Sequence, residues 1–402
     1  MKPIKVLNTS CRENFKGLGS KILPSGSEGQ RINAVAQYIT EHNAKAMAQA
    51  TLDASGRMVW DKDHTPVRLG EDFSIGELFY ACTGSTALPE NSHEFRETVG
   101  TGAFAKITQK AISPEILKAY QNANRVWDKL ATQVGSDVEK ETVPGIDDDM
   151  LPELVVEGQE YPSANLTERY VTITNYKYGK TLPVTMELVR YDQTGEILRR
   201  ARMIGERGAD FKDKVVVHNA TDQLAGTAKA YNTKQTHAYY LSGTGTDLYA
   251  AGNSNVKTSN ALADETDIDA AWQILAAQTD ANSNPITVDA KIILVPKALA
   301  ATAFKIRGSS AAPSGSNSGE VNPFGPGGLL NYEILSSVYM ADTTTWFLGD
   351  FMSQMRLQRV NAPTVSTDTA GGFQNDTMFN IKFSELFGIG AVDHRFVCKS
   401  SA

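Results

Sequence analysis

Residues Lys140 to Glu157 read KETVPGIDDDMLPELVVE. Pro144, Gly145 and the run Asp147, Asp148, Asp149 stand near the centre with β-prone stretches on either side, a pattern that predicts a long hairpin with an acidic tip. The enclosing segment 128–175 holds eleven acids (Asp128, Asp137, Glu139, Glu141, Asp147, Asp148, Asp149, Glu153, Glu157, Glu160, Glu168). Against them stand three bases, Lys129, Lys140 and Arg169, giving a local charge of −8. The whole chain carries −7 at pH 7, so all other residues together sum to +1. A two-stranded hairpin buries too little apolar surface to stand alone in water. It needs a surface to lie on, and another copy of the chain can supply one.

Downstream of the hairpin, Tyr170 to Thr174 and Leu182 to Leu188 alternate apolar and polar residues as half-buried strands do. Thr194 then offers an N-cap for the longest helix. Ile197, Ala201, Ile204, Gly208, Phe211 and Val215 recur at steps of three and four, one apolar stripe over about 24 residues, or about 36 Å at 1.5 Å per residue. The other faces of this helix hold Arg199, Arg200, Arg202, Arg207, Lys212 and Lys214 against Glu196, Glu206, Asp210 and Asp213. Upstream, a helix is expected from Ser113 to about Trp127, with Pro114 in its first turn. Residues 1–95 read as a looser extension with one amphipathic helix, about Gln30 to Ala50, and a short apolar segment from Phe73 to Ala81.

The C-terminal half mixes short elements. Helices are expected over Thr266–Gln278 and Lys297–Phe304, and a buried strand over Ala290–Val295. Strands follow over Tyr332–Tyr339, Thr344–Leu348, Met355–Val360 and Met378–Phe383, after a Gly- and Ser-rich loop from Gly308 to Gly328. With 402 residues, 41% hydrophobic and 21% charged, the chain is a globular protein of two or three structural units rather than a disordered chain or a coiled coil. Its net negative charge is the wrong sign for a protein that owes its affinity to neutralising phosphates. Cys11, Cys82 and Cys398 are too few and too scattered for a disulfide framework, which points to a reducing compartment. No signal-peptide stretch opens the sequence and no run of about 18 apolar residues occurs, so no membrane is expected as a partner.

Several weak motifs fall in a recognisable order. Leu154 to Pro162 (LVVEGQEYP) precedes Lys177 to Lys180 (KYGK), which leads to Pro183 to Glu187 (PVTME). Asp289 to Pro296, the Asn322–Pro323 step, Trp346 to Asp350 and Gly388 to Arg395 follow. In this order the chain resembles the major capsid proteins of tailed phages, within them the Mu-like major head subunit group, over about residues 97–402. The resemblance implies an α+β chain with the Hong Kong 97 type of capsid fold. Its parts would be an N-terminal extension, 1–95, either scaffold-like or a retained arm; an N-arm, 96–127; an E-loop, 128–175; a peripheral domain with a long spine helix, 176–225 and 366–402; and an axial domain, 226–365.

The function implied is the icosahedral head shell around packaged double-stranded DNA. The partners implied are the chain itself as hexamers and pentamers, a portal, a scaffolding protein or maturation protease, a decoration protein and non-specifically touched DNA. The place implied is the virion capsid, assembled in the host bacterial cytoplasm. An encapsulin-like nanocompartment around a cargo enzyme is the alternative within the same fold, and a soluble multidomain enzyme or binding protein the alternative outside it. For a shell, the acidic hairpin (Asp147, Asp148, Asp149, Glu153, Glu157, Glu160) is expected to cross an adjacent subunit's long helix near Arg199, Arg200, Arg202 and Arg207.

Chemistry of other kinds finds little footing. The six histidines show no i, i+4 pair and no metal-binding arrangement with Cys or Glu. Gly243–Gly245 and Gly325–Gly328 lack the strand, loop and Lys-Ser/Thr order of a phosphate loop. The Asp147–Asp149 run lacks the spaced ligands of a calcium loop and reads as a solvated tip. No Gly-x-Ser-x-Gly elbow or Ser, His and Asp arrangement nominates a nucleophile. Catalytic residues, cofactors and metals are therefore expected to be none.

Overall fold

The computed structural model describes residues 2–3, 50–52, 58–60, 87–88, 103–123, 125–148, 154–158, 160, 166–185, 196–222, 248–280, 283–312, 321–340, 342–368 and 377–402. Its main elements, in chain order, begin with helix α1 (Ala103–Asn122), helix α2 (Trp127–Leu130), strands β1 (Thr132–Gly135), β2 (Lys140–Asp148), β3 (Leu166–Thr174) and β4 (Tyr176–Thr185), and helix α3 (Glu196–Ala220). Then come β5 (Val256–Lys257), α4 (Glu265–Ala276), β6 (Ile292–Pro296), α5 (Ala300–Gly308), β7 (Glu333–Ser337) and β8 (Trp346–Gly349). The last are α6 (Phe351–Gln354), β9 (Met355–Asp368), β10 (Thr377–Ala391) and β11 (Val397–Ser400). Two compact units share the chain: the first takes Met1–Asn124, Lys177–Phe211 and Asn361–Glu385, the second Arg125–Tyr176, Lys212–Val360 and Leu386–Ala402.

In the first unit, α1 lies against the N-terminal part of α3. The approach is set by Gly205: a Cβ there would fall 2.2 Å from the Ile116 carbonyl oxygen, so only glycine lets the backbones meet this closely. Ile112 and Ile116 are buried beside it, and Arg202 Nε donates to Glu115 Oε2 at 2.8 Å across the two helices. Tyr120 stacks at 5.8 Å on Phe383 and donates its hydroxyl to Glu385 Oε2 at 2.9 Å, which fixes α1 to β10. Helix α1 starts ten residues earlier than the sequence suggests, and Pro114 lies inside it rather than in its first turn. Packing on both sides holds the helix through a residue that removes one hydrogen bond.

The second unit is built on a five-stranded mixed sheet in the order β7-β6-β8-β11-β5. β6 runs parallel to β7 and antiparallel to β8, which is antiparallel to β11. All five residues of β6 are buried, as its unbroken apolar run requires of a central strand. Ile293, Leu348 and Cys398 are aligned across β6, β8 and β11, and α4 and α5 cover that face with Ile268, Leu275, Ala303 and Ile306. Helix α4 starts at a capping box: the Asp264 side chain accepts from Thr266 N while Asp267 Oδ2 accepts from Asp264 N at 3.0 Å.

Of the apolar stripe on α3, Ala201 and Val215 are fully buried and Ile204, Gly208 and Phe211 half-buried, while the side chain of Ile197 lies outside the described ones. Two residues expected on its polar faces are not there: Lys212 is 2% and Asp213 5% exposed. Lys212 Nζ sits 4.2 Å above the Trp127 ring, and Asp213 Oδ1 accepts from the Val126 and Trp127 amides, both at 2.9 Å, so the pair anchors α2. The helix expected at Gln30–Ala50 lies outside the described residues except Ala50, which is a strand residue in Ala50–Leu52 paired with Met58–Trp60. The apolar segment Phe73–Ala81 and the cap Thr194 also lie outside them.

Candidate assembly surfaces

The hairpin exists, with a longer ladder than its turn residues suggest. β2 and β3 pair antiparallel from Lys140↔Thr174 through Asp148↔Leu166, nine pairs or about 30 Å of ribbon. Pro144 and Gly145 are opposite Tyr170 and Arg169 inside this ladder, so they do not form the tip. A two-stranded ribbon has an outer edge on each strand, where a residue without an N–H is tolerated.

The root of the hairpin is held by the second unit. Asn175, 4% exposed, donates through Nδ2 to Val138 O at 2.7 Å and Ser136 Oγ at 3.2 Å, while its amide donates to Glu139 O at 2.8 Å. Gly388 of β10 passes so close that a Cβ would be 2.4 Å from Asn175 Oδ1. Arg356 Nη2 meets Glu141 Oε1 at 2.9 Å, with both side chains about three-quarters covered. Val143, Val171 and Ile173 form a small apolar cluster with Val392, separate from the cluster under the five-stranded sheet.

The connection between the strands is different in character. Leu154 is 91% and Val156 58% exposed, and Glu157 and Glu160 are exposed beside them. Two large apolar side chains in three residues, both open to water, are what an interaction segment shows and a finished surface avoids. Of the acidic residues singled out from sequence, Asp147 and Asp148 close β2 opposite Thr167 and Leu166, and Asp149 and Glu153 lie outside the described residues.

The four arginines fall in the first unit, on α3, and the acidic hairpin falls in the second. Arg199 and Arg200 are exposed. Arg207 is exposed and pairs with Asp210 at 3.1 Å one turn on. Arg202 is only 22% exposed in its side chain and is engaged by Glu115, so its first role is inside the unit. Sequence reasoning missed Asn175, Arg356 and Val392 as the hairpin's anchors. The Gly388–Arg395 stretch was visible as a motif, but its contact with the hairpin joins residues more than 200 positions apart.

Among the described residues, no group of His, Cys, Asp and Glu is placed to hold a metal ion, and no helix is long and apolar enough to cross a membrane. The clamped hairpin and the exposed Leu154 and Val156 in its connection present a surface suited to association. The chain belongs to the phage capsid protein family, whose model matches residues 169–400, more than half its length. Among solved structures it is similar to a chain of the capsid of an empty GTA particle, with 14% identity over 69% of this chain and 89% of that one and a TM-score of 0.45. Mycobacterium phage Che8 gives 14% identity, 69% and 92% coverage and a TM-score of 0.44. Mycobacterium phage Bobi gives 14%, 69% and 90%, and 0.45. No curated protein matches the chain.

Proposed function

We propose that the chain is the major subunit of a tailed-phage head, assembling as hexamers and pentamers of itself into an icosahedral shell around double-stranded DNA. The observation that carries this beyond family membership is the hairpin: its root is buried and bonded, while Leu154 and Val156 in its connection remain in water. A neighbouring copy completes the burial. In this reading residues 128–175 are the E-loop, 96–127 the N-arm, 176–225 and 366–402 the peripheral domain, and 226–365 the axial domain of a Hong Kong 97 type of fold. The motif order supports that type and the Mu-like subgroup.

The mechanism is multivalent. Each contact is weak, because exposed ion pairs contribute about 0–1 kcal/mol. Several contacts made at once in a lattice raise the effective concentration of the rest, and the sum is strong. Arg199, Arg200 and Arg207 set where a neighbour's Glu157 and Glu160 come to rest, which makes assembly salt-sensitive. The net charge of −7 suits a wall along which packaged DNA slides without being gripped. Portal, scaffolding or protease, and decoration partners belong to the same proposal, as does assembly in the host cytoplasm.

The test is to express the chain, examine it by electron microscopy, and analyse the contents and N-terminus of purified particles. Closed shells that admit DNA support the reading. A chain that stays monomeric at every concentration and salt contradicts it, and particles holding a tethered enzyme in place of DNA transfer it to a nanocompartment.

A further inference from the structure

Charge is divided between the two helices that cover the five-stranded sheet of the second unit. Residues 258–290 contain the acids Asp264, Glu265, Asp267, Asp269, Asp280 and Asp289 and no base. Residues 291–319 contain the bases Lys291, Lys297, Lys305 and Arg307 and no acid. The fold places the helices that these runs supply on different strands. Helix α4 packs on β8, β11 and β5, and α5 packs on β6 and β7, which lie at opposite ends of the strand order. Both helices seal the same apolar cluster, so they lie side by side on one face. One end of that layer is acidic and the other basic.

The basic end also carries apolar surface. Phe304, 67% exposed, lies next to Lys305 on the exposed face of α5. Val338, 65% exposed, directly follows the edge strand β7. The α4 end instead shows the half-buried Asp269, which accepts from Gln273 Nε2 at 2.5 Å, and the exposed small residues Ala276, at the end of the helix, and Ala277, just after it. A single exposed apolar residue is ordinary. Large apolar groups beside cations at one end, and small residues beside anions at the other, form two complementary surfaces.

We propose that the α5/β7 end of one copy docks against the α4 end of the next, with Lys305 facing the neighbour's Asp269 and Phe304 lying over its Ala276 and Ala277. The contact joins two different patches, so it is head-to-tail and closes into a ring where the rotation permits. The apolar pair supplies affinity, and the charges decide which end meets which. This contact rests on the shell reading and assigns it a specific surface outside the hairpin.

The experiment compares the full-length chain with Asp269→Lys, Lys305→Glu, the two substitutions combined in one chain, and a mixture of the two single variants. Far-UV circular dichroism melts check that each variant folds, and Asp269→Asn and Lys305→Gln serve if a reversal does not. Native mass spectrometry and electron microscopy read rings and shells. Each reversal alone is expected to raise the concentration at which rings form by about tenfold or more, because the repulsion recurs at every contact. The combined variant restores rings, and the mixture restores even-numbered ones. Phe304→Ser weakens assembly and is not rescued by either reversal. Single variants that assemble like the wild type, or a combined variant no better than the singles, overturn this contact and leave the shell reading standing. A wild-type chain that never forms rings or shells overturns both.

Discussion

Replacing Ile173 by Ala should loosen the hairpin without unfolding the unit that holds it. Ile173 is 2% exposed and packs in the small cluster with Val143, Val171 and Val392 at the hairpin root, beside Gly390 of β10. The cluster beneath the five-stranded sheet, around Ile293, Trp346 and Leu348, is separate. Truncation removes three carbons from a buried site, a class of change that costs about 2–5 kcal/mol depending on how far the site collapses. A cluster of four side chains can close partly around the gap, so the low end, about 2–3 kcal/mol, applies. Hydrogen exchange reads this directly: amides of the β2–β3 ladder near Val143 and Val171 should exchange roughly 30- to 150-fold faster. Amides of β6 and β8 should keep their rates. The reasoning fails if ladder exchange is unchanged. It fails equally if every slow amide in the second unit accelerates together, since that would make hairpin and sheet one cooperative core.

Other consequences follow from single residues. Gly205→Ala gains about 1 kcal/mol of helix propensity, yet its Cβ would stand 2.2 Å from a backbone oxygen of α1, and overpacking of this kind costs about 1–3 kcal/mol; urea melts of the monomer should show a net loss, and a net gain would remove the close helix contact. His218 is 6% exposed, and burial, with Lys214 nearby, holds its pKa below the usual 6.5. The unfolded chain therefore takes up that proton first, so stability falls as pH drops below about 6.5 until the folded-state pKa is passed. His218→Gln should flatten this part of the pH profile, and an unchanged slope would show that another group sets it. Burial pushes the Cys398 thiol up to about 12, so at pH 8 iodoacetamide should leave it unmodified in the native chain and label it after unfolding, as peptide mass spectrometry can check. Reversing Arg199, Arg200 and Arg207 to Glu should suppress shells while leaving the monomer's circular dichroism intact; normal shells would remove the arginine docking site.

What sequence reveals here depends on whether a signal is local. The unbroken apolar run of β6 and the three- and four-residue stripe on α3 are local, and both elements stand where those patterns place them. Pro and Gly misled in two places for the same reason. Pro114 suggests a helix start and Pro144–Gly145 a turn, but long-range packing carries α1 through the first and strand pairing carries β2 through the second. The acidic hairpin was legible from composition and alternation, whereas its anchors were not. Asn175 reads as an ordinary loop residue until Gly388 is laid against it, and Arg356 as an ordinary surface cation until Glu141 meets it. Lys212 and Asp213 show the converse, charged residues in a helix that the pattern assigns to solvent and the fold buries against α2.

The most direct measurement is an electron cryomicroscopy map of assembled particles at a resolution that traces the chain. The account predicts density for the connection around Leu154 and Val156 lying on α3 of an adjacent copy, beside Arg199, Arg200 and Arg207. Density that folds this segment back onto its own subunit, within particles or in a chain that forms none, would contradict it.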